Sequence, residues 1–220
     1  SWQTSLLVFA GTLLLVLPLS MALATPKSAA GAAAAKVQQS GKQALVEAFG
    51  HRSYILLVLG FFTCGFQLAF VTVHLPSYLV DRGLGADAGA WTIGLIGLFN
   101  IIGSLSSGWL SGKMPKRYLL SIIYFGRAAS IVGLILLPPS TFSTLVFGAV
   151  TGLLWLSTVP PTSGLVALMF GTRWLTMLFG FAFFSHQVGG FLGVWLGGLA
   201  YEATGSYDVV WWLAAALGRI

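Results

Sequence analysis

The sequence predicts an all-α fold, a polytopic bundle of membrane-spanning helices, and three observations support this prediction. First, 57% of the 220 residues are hydrophobic and only 7% are charged, whereas about a quarter of the residues of a soluble domain are charged. Second, apolar runs recur with the length of about 20 residues that a helix needs to cross a bilayer. Third, the basic residues collect in alternate connections between these runs. Much of the surface is therefore expected to face lipid.

The apolar runs predict six full spans and part of a seventh. The full spans are Ser5–Leu23, Tyr54–Val80, Ala90–Ser111, Tyr118–Leu137, Phe142–Phe170 and Leu175–Tyr201. The last run, Val209–Ile220, would reach only about 18 Å as a helix, against a hydrocarbon core of about 30 Å. We therefore expect a truncated seventh span. Pro160 and Pro161 predict a kink in the fifth span, because neither can donate a backbone hydrogen bond.

The segment between the first two spans is more polar. It contains the tract Ala29–Ala35, which is typical of a linker. Ser40 and Gln43 have the spacing of a capping box, and apolar residues follow on one face at Leu45, Val46 and Phe49. This pattern predicts a short helix over Ser40–Phe49 that lies at the membrane surface. A plain linker is the alternative.

The charges predict an orientation. Eight basic residues lie in connections on one side of the membrane: Lys27, Lys36, Lys42, Arg52, Lys113, Lys116, Arg117 and Arg173. The other side holds Arg82 and four acidic residues, Asp81, Asp87, Glu202 and Asp208. Because cytoplasmic connections carry an excess of Lys and Arg, the first side is predicted to be cytoplasmic.

Several classes of function find little support. The net charge is +6, but the basic residues flank apolar spans instead of forming a patch with interleaved aromatic residues, so nucleic-acid binding is not predicted. The sequence has no nucleophile elbow, phosphate-binding glycine loop or HExxH motif, so an enzyme is not predicted. The single cysteine, Cys64, lies in a span, and no metal-ligand cluster is evident. No cofactor or metal is predicted.

The connection after the third span reads Gly108-Trp109-Leu110-Ser111-Gly112-Lys113-Met114-Pro115-Lys116-Arg117. It resembles the G-x-x-x-D-R-x-G-R-R element of the major facilitator superfamily, with Gly112 and Pro115 in place of the acid and the second glycine. The order of spans resembles helices 6 to 12 of that family. The resemblance implies that residues 1–23 end the N-terminal half, that residues 24–53 are the cytoplasmic linker, and that residues 54–220 are the C-terminal half with an incomplete last helix.

Four further segments look like bacterial members of the monocarboxylate and oxalate/formate transporter-like branch. They are Cys64-Gly65-Phe66-Gln67, Thr72-Val73-His74-Leu75-Pro76, Ser185-His186-Gln187-Val188-Gly189-Gly190-Phe191-Leu192-Gly193 and Thr204-Gly205-Ser206-Tyr207. The resemblance implies a secondary transporter in a bacterial inner (plasma) membrane that needs the N-terminal half of the same protein. Carboxylate carriers of this branch often have an Arg in the eighth helix, where this chain has Asn100 and Ser104.

Polar side chains inside spans are costly and usually face protein or a water-filled cavity. A polar side chain or a Trp lies near the middle of each of five spans, and further polar residues lie next to several of them. The predicted substrate-binding or coupling residues are Gln67, Asn100, Ser104, Arg127, Trp155, Thr158, His186 and Gln187. The predicted gating residues are His74, Lys113, Lys116 and Arg117. Hydrogen bonding between helices is the alternative role for Gln67, Asn100 and His186.

Arg127 needs a partner, because a guanidinium at mid-membrane must be paired or solvated. No acid lies inside a complete span, so the partner is expected to be a backbone carbonyl, a group of the other half, or the ligand. The excess of positive charge favours transport of a small organic anion, such as a monocarboxylate, by alternating access. His186 is the hypothetical site of proton coupling. Two alternatives stay open: efflux of drugs or neutral metabolites, and a membrane protein that does not transport, such as a fragment, a sensor or an assembly partner.

Overall fold

The computed structural model describes residues 2–14, 18 and 39–218, and within these ranges every regular element is a helix. The helices are α1 (Trp2–Leu14), α2 (Gly41–Gly50), α3 (Arg52–Asp81), α4 (Ala86–Lys113), α5 (Lys116–Leu136), α6 (Thr141–Leu154), α7 (Val159–Phe170), α8 (Leu175–Thr204) and α9 (Asp208–Leu217). Helix α1 belongs to a first unit, residues 1–39, and the other helices form a second unit, residues 40–220.

Five segments of the described residues are long and apolar enough to cross a membrane: α3, α4, α5, α8, and α6 together with α7. The predicted all-α membrane bundle is confirmed. The helices run a few residues past most of the apolar runs, because helical backbone continues into the interfacial region where polar side chains meet water. Residues 15–17 and 19–23 of the predicted first span, the tract Ala29–Ala35 and Arg219 lie outside the described residues.

Helix α2 begins as the capping-box pattern predicts. The Ser40 hydroxyl accepts the backbone N–H of Gln43 at 3.3 Å, and the Gln43 side chain accepts the Ser40 N–H at 2.8 Å. These two bonds satisfy donors that the first turn of a helix leaves open. Ala44 and Ala48 are buried, while Val46 is 68% exposed. Helix α2 is therefore amphipathic, and it packs against the start of α3.

Two pairs of helices approach closely at glycines. In the pair α3 and α8, a Cβ on Gly65 would overlap the carbonyl oxygen of His186, and a Cβ on Gly189 would overlap that of Phe62. In the pair α4 and α6, a Cβ on Gly103 would overlap the carbonyl oxygen of Leu153. Because lipid removes the hydrophobic drive between spanning helices, such close van der Waals packing is a main source of their association.

The span that contains the two prolines is broken. Helix α6 ends at Leu154, and α7 begins at Val159. In an unbroken helix the N–H groups of residues 160 and 161 would bond the carbonyls of Leu156 and Ser157, but proline has no N–H. The Leu156 carbonyl accepts the Val159 N–H instead. The predicted kink is therefore a four-residue interruption, which we call the helix break (residues 155–158).

Charged residues collect at two opposite ends of the second unit. Ser53, Arg117 and Met169 line one groove, so the starts of α3 and α5 lie beside the end of α7. We call this the basic end. Asp81 and Tyr201 line a cavity of about 410 Å³ at the opposite ends of α3 and α8, which we call the acidic end. Connections that alternate in charge along the chain thus lie at opposite ends of the second unit, the basic ones at the basic end and the acidic ones at the acidic end.

Candidate functional site

The centre of the bundle contains a buried group built on Cys64, whose side chain is 0% exposed. Nη1 of Arg127 donates to the Cys64 sulfur at 3.0 Å, and Nη2 donates to the Cys64 carbonyl oxygen at 3.2 Å. The Thr158 hydroxyl lies 3.4 Å from the same sulfur. Arg127 is 2% exposed and Thr158 is 0% exposed. Of the three partners expected for Arg127, the structure provides a backbone carbonyl, and it adds a thiol.

His186 of α8 lies near the same thiol. Its ring stacks on Phe183, with centroids 5.7 Å apart, and lies 5.3 Å from the ring of Phe61. Its Nδ1 is buried and has no hydrogen-bond partner in the part of the chain that the structure describes. A buried nitrogen without a partner is costly, so this position offers one unused polar atom to a proton or ligand.

Gln67 and His74 lie further along α3 and contact other helices. Nε2 of Gln67 donates to the carbonyl oxygen of Ala214 in α9 at 2.7 Å, while its Oε1 is buried without a partner. Nε2 of His74 lies 3.0 Å from the carbonyl oxygen of Val194 in α8, and its ring is 5.0 Å from that of Tyr207. Both side chains join helices, and Gln67 keeps one free acceptor.

Asn100 and Ser107 of α4 lie against the helix break. Oδ1 of Asn100 accepts the backbone N–H of Leu156 at 3.1 Å and the hydroxyl of Ser104 at 3.3 Å. The Ser107 hydroxyl donates to the carbonyl oxygen of Ser157, the acceptor that Pro161 leaves unused. Helix α4 therefore replaces two hydrogen bonds that the broken span has lost. Trp155, at the start of the break, is buried in the apolar core.

The remaining predicted residues are further from this group. Gln187 is exposed. Lys113 is also exposed, with its ammonium 3.9 Å from the ring centroid of Trp109. Lys116 passes beside Gly164 of α7. Arg117 donates to the hydroxyl of its neighbour Tyr118 at 3.1 Å. These three basic residues all lie at the basic end, where the resemblance implies a gating element.

A groove of about 560 Å³ leads from the basic end toward the buried group. Its lining includes Gly60, Tyr124 and Thr162, which lie one turn of helix from Cys64, Arg127 and Thr158 respectively. The sulfur itself is not exposed in the groove. The groove therefore ends one helical turn along α3, α5 and α7 from the residues of the buried group.

The structure brings three predicted residues together, since Arg127, Thr158 and His186 all meet at Cys64. Asn100, Ser104 and Trp155 form a second group at the helix break. Gln67 and His74 belong to neither group. Sequence reasoning did not select Cys64 as a site residue, although it lies three residues before Gln67 and so shares its helix face.

Comparisons with known proteins agree with this architecture. The family model described as Major Facilitator Superfamily matches residues 1–194. A Bacillus subtilis (strain 168) protein named "Uncharacterized MFS-type transporter YcxA" is 33% identical over 160 residues, which are 70% of this chain and 39% of that protein. "Monocarboxylate transporter 12-B" of Danio rerio is 26% identical over 169 residues, 74% of this chain and 33% of its own length.

A human relative extends the comparison over more of the chain. "Monocarboxylate transporter 11" of Homo sapiens is 24% identical over 193 residues, 77% of this chain and 38% of that protein. The chain thus spans between 33% and 39% of the length of these relatives.

Proposed function

Because this chain belongs to the major facilitator superfamily, we propose that it is part of a secondary transporter that moves a small organic anion, such as a monocarboxylate, by alternating access. Alternating access needs two halves that rock against each other around a site near mid-membrane. Helices α3 to α9 are proposed to form the C-terminal half, and residues 1–23 to end an N-terminal half of the same protein. Two of the relatives are named monocarboxylate transporters, which supports this class of cargo.

The observation that carries the proposal is the uncompensated charge of Arg127. In the described spans the acidic residues all lie in a terminal turn: Asp81, Asp87 and Glu202. Among the residues that the structure describes, the buried guanidinium at the middle of the bundle therefore has no carboxylate beside it. A buried charge is stabilised by an opposite charge, and its field extends far in a medium of low dielectric constant. An anionic cargo would supply the missing negative charge.

Uptake by the complete protein tests this proposal. Proteoliposomes that contain it should accumulate labelled lactate or pyruvate when a pH gradient is imposed. We expect Arg127→Gln to lower this uptake by about tenfold or more, the effect of about 1.4 kcal/mol. Arg82→Gln is the matched control, because Arg82 lies at the acidic end and donates to Tyr78 and Ile135. Transport of neutral compounds with no anion uptake would contradict the proposal in favour of neutral efflux.

Proton coupling is proposed to involve His186. Its ring packs against Phe61 and Phe183, its Nδ1 is buried and has no partner among the described residues, and imidazole is a common proton carrier in proteins. In the complete protein, His186→Ala should change the dependence of anion uptake on external pH. An unchanged pH profile with an unchanged rate would exclude His186 as the coupling residue.

The last span is proposed to continue along the groove at the basic end. Helix α9 reaches Gly218, which lies beside Gln67 of α3 and Ala128 of α5. The groove follows the same two helices onward to Ser53 and Arg117, so a further helical segment would fit between them. In the complete protein a cysteine at Ser121, in the groove, should then react slowly with maleimide. Rapid reaction would mean that the groove is open.

A further inference from the structure

Cys64 is the point where four parts of the bundle meet. It lies on α3, its sulfur forms hydrogen bonds with Arg127 of α5 and Thr158 of the helix break, and His186 of α8 lies near it. Most buried cysteines act as small apolar side chains. This thiol instead has polar partners on three sides.

One direction of hydrogen bonding at Cys64 follows from chemistry. A guanidinium has only donors, so the sulfur accepts from Arg127. In the bond between the sulfur and the Thr158 hydroxyl, either group can be the donor. Thr158 occupies the N-cap position of α7, where a threonine side chain usually accepts an N–H of the second or third helical residue. Those residues are Pro160 and Pro161, which have no N–H, so the Thr158 hydroxyl makes no cap bond and is left to bond Cys64.

The helix break is therefore held from both sides. On one side, Asn100 and Ser107 of α4 bond the backbone of Leu156 and Ser157. On the other side, the thiol of Cys64 bonds the Thr158 side chain and links it to a buried charge. The contact with Cys64 is the one that connects the break to Arg127.

We propose that Cys64 is a positioning residue that couples the guanidinium of Arg127 to the helix break. The sulfur accepts from Arg127 and shares a hydrogen bond with Thr158, so a shift of the guanidinium changes the support of the break, and opening of the break removes one partner of the sulfur that Arg127 bonds. The consequence for transport rests on the proposed function: an anion attracted to Arg127 would shift its guanidinium and so change the hydrogen bonding at the helix break.

Hydrogen–deuterium exchange of the amides of residues 155–159, in the complete purified protein, tests the coupling without any substrate. Cys64→Ala should speed their exchange by about tenfold or more, because hydrogen bonds to charged groups contribute the equivalent of about 10- to 100-fold. Cys64→Ser, which can still accept and donate, should stay within about threefold of the native protein. Thr63→Ala is the matched control, since the buried Thr63 hydroxyl bonds Leu59 of its own helix, and it should leave the break unchanged.

The outcomes separate this inference from the proposed transport function. Unchanged exchange in Cys64→Ala, or equal acceleration in the serine and alanine variants, would overturn the coupling. If Cys64→Ala does not fold, Thr158→Val removes the hydroxyl at nearly constant shape and should loosen the same amides, and slow exchange in that variant would also overturn it. In anion uptake, Cys64→Ala should raise KM by about tenfold while Cys64→Ser restores it. A protein that takes up no anion but shows the exchange pattern would refute the transport proposal alone.

Discussion

The Asn100 side chain accepts the backbone N–H of Leu156 at 3.1 Å, so a residue of α4 supplies a hydrogen bond that the neighbouring span cannot make for itself. Backbone groups inside a membrane have no water to bond. A broken span therefore depends on side chains of its neighbours, and here those side chains are Asn100 and Ser107.

Replacement of Asn100 by leucine should destabilise the protein. The Leu156 N–H would lose its acceptor, at a cost of about 1–3 kcal/mol, and the apparent melting temperature in detergent should fall. Ser104→Ala is the control, because the Ser104 hydroxyl donates to the same oxygen but frees no backbone group when it is removed. Equal melting temperatures for Asn100→Leu and Ser104→Ala would contradict this role.

Substitution of Gly189 should separate α3 from α8. A Cβ at this position would overlap the carbonyl oxygen of Phe62, whereas a Cβ on Gly180 or Gly198 of the same helix meets nothing within 4 Å. We expect Gly189→Val to abolish the monodisperse peak in size-exclusion chromatography, since backbone cannot shift cheaply in a packed pair. Gly180→Ala and Gly198→Ala should elute as the native protein does. Normal elution of Gly189→Val would show that the helices are not so close.

Removal of the Tyr54 hydroxyl should weaken the link between the starts of α3 and α8. This buried hydroxyl donates to the carbonyl oxygen of Leu178 at 2.8 Å, so Tyr54→Phe should cost about 1 kcal/mol of stability. Tyr118→Phe is the control, because Tyr118 is exposed and its hydroxyl accepts only from the neighbouring Arg117 among the bonds the structure describes. Denaturant unfolding followed by tryptophan fluorescence would measure both. The assignment fails if the two variants lose the same stability.

The orientation of the chain can be measured by labelling. If the basic end is cytoplasmic, a cysteine at Glu202 should react with a membrane-impermeant maleimide in intact cells. A cysteine at Thr172 should react only after permeabilisation. Because Cys64 is fully buried, it should add little background. The reverse pattern would invert the proposed topology.

Much of the fold could be predicted from sequence, because each spanning helix must satisfy its own backbone bonds and leaves a long apolar run. The capping box at Ser40 and the disturbance at Pro160 were likewise predictable, since both act within a few residues of chain. The glycine contacts were harder to assign, because the sequence of α8 contains several glycines and only the structure shows that Gly189 faces a backbone while Gly198 does not.

The site was predictable only in part. Arg127, Thr158 and His186 stood out because polar groups are rare inside spans. Their common neighbour, Cys64, has no distinctive feature in the sequence. Its hydrogen-bond partners lie 63 and 94 residues away along the chain, so its role could not be predicted. Asn100 stood out as well, yet its bond to a backbone amide depends on where the helix break lies against α4. Long-range contacts of this kind leave no periodic signal in a single sequence.

The glycine contacts have a consequence for spectroscopy. Helices α3 and α8 touch backbone to backbone at Gly65 and Gly189, and α4 and α6 do so at Gly103. The distance between the two helices of each pair should therefore stay constant. Spin labels placed on the two helices should give one narrow distance distribution under every condition. A label on α7, beyond the helix break, measured against a label on α4 should give the broad or shifting distribution. We therefore expect the break to separate a segment that keeps its distance to α4 from a segment whose distance changes with the state of the protein.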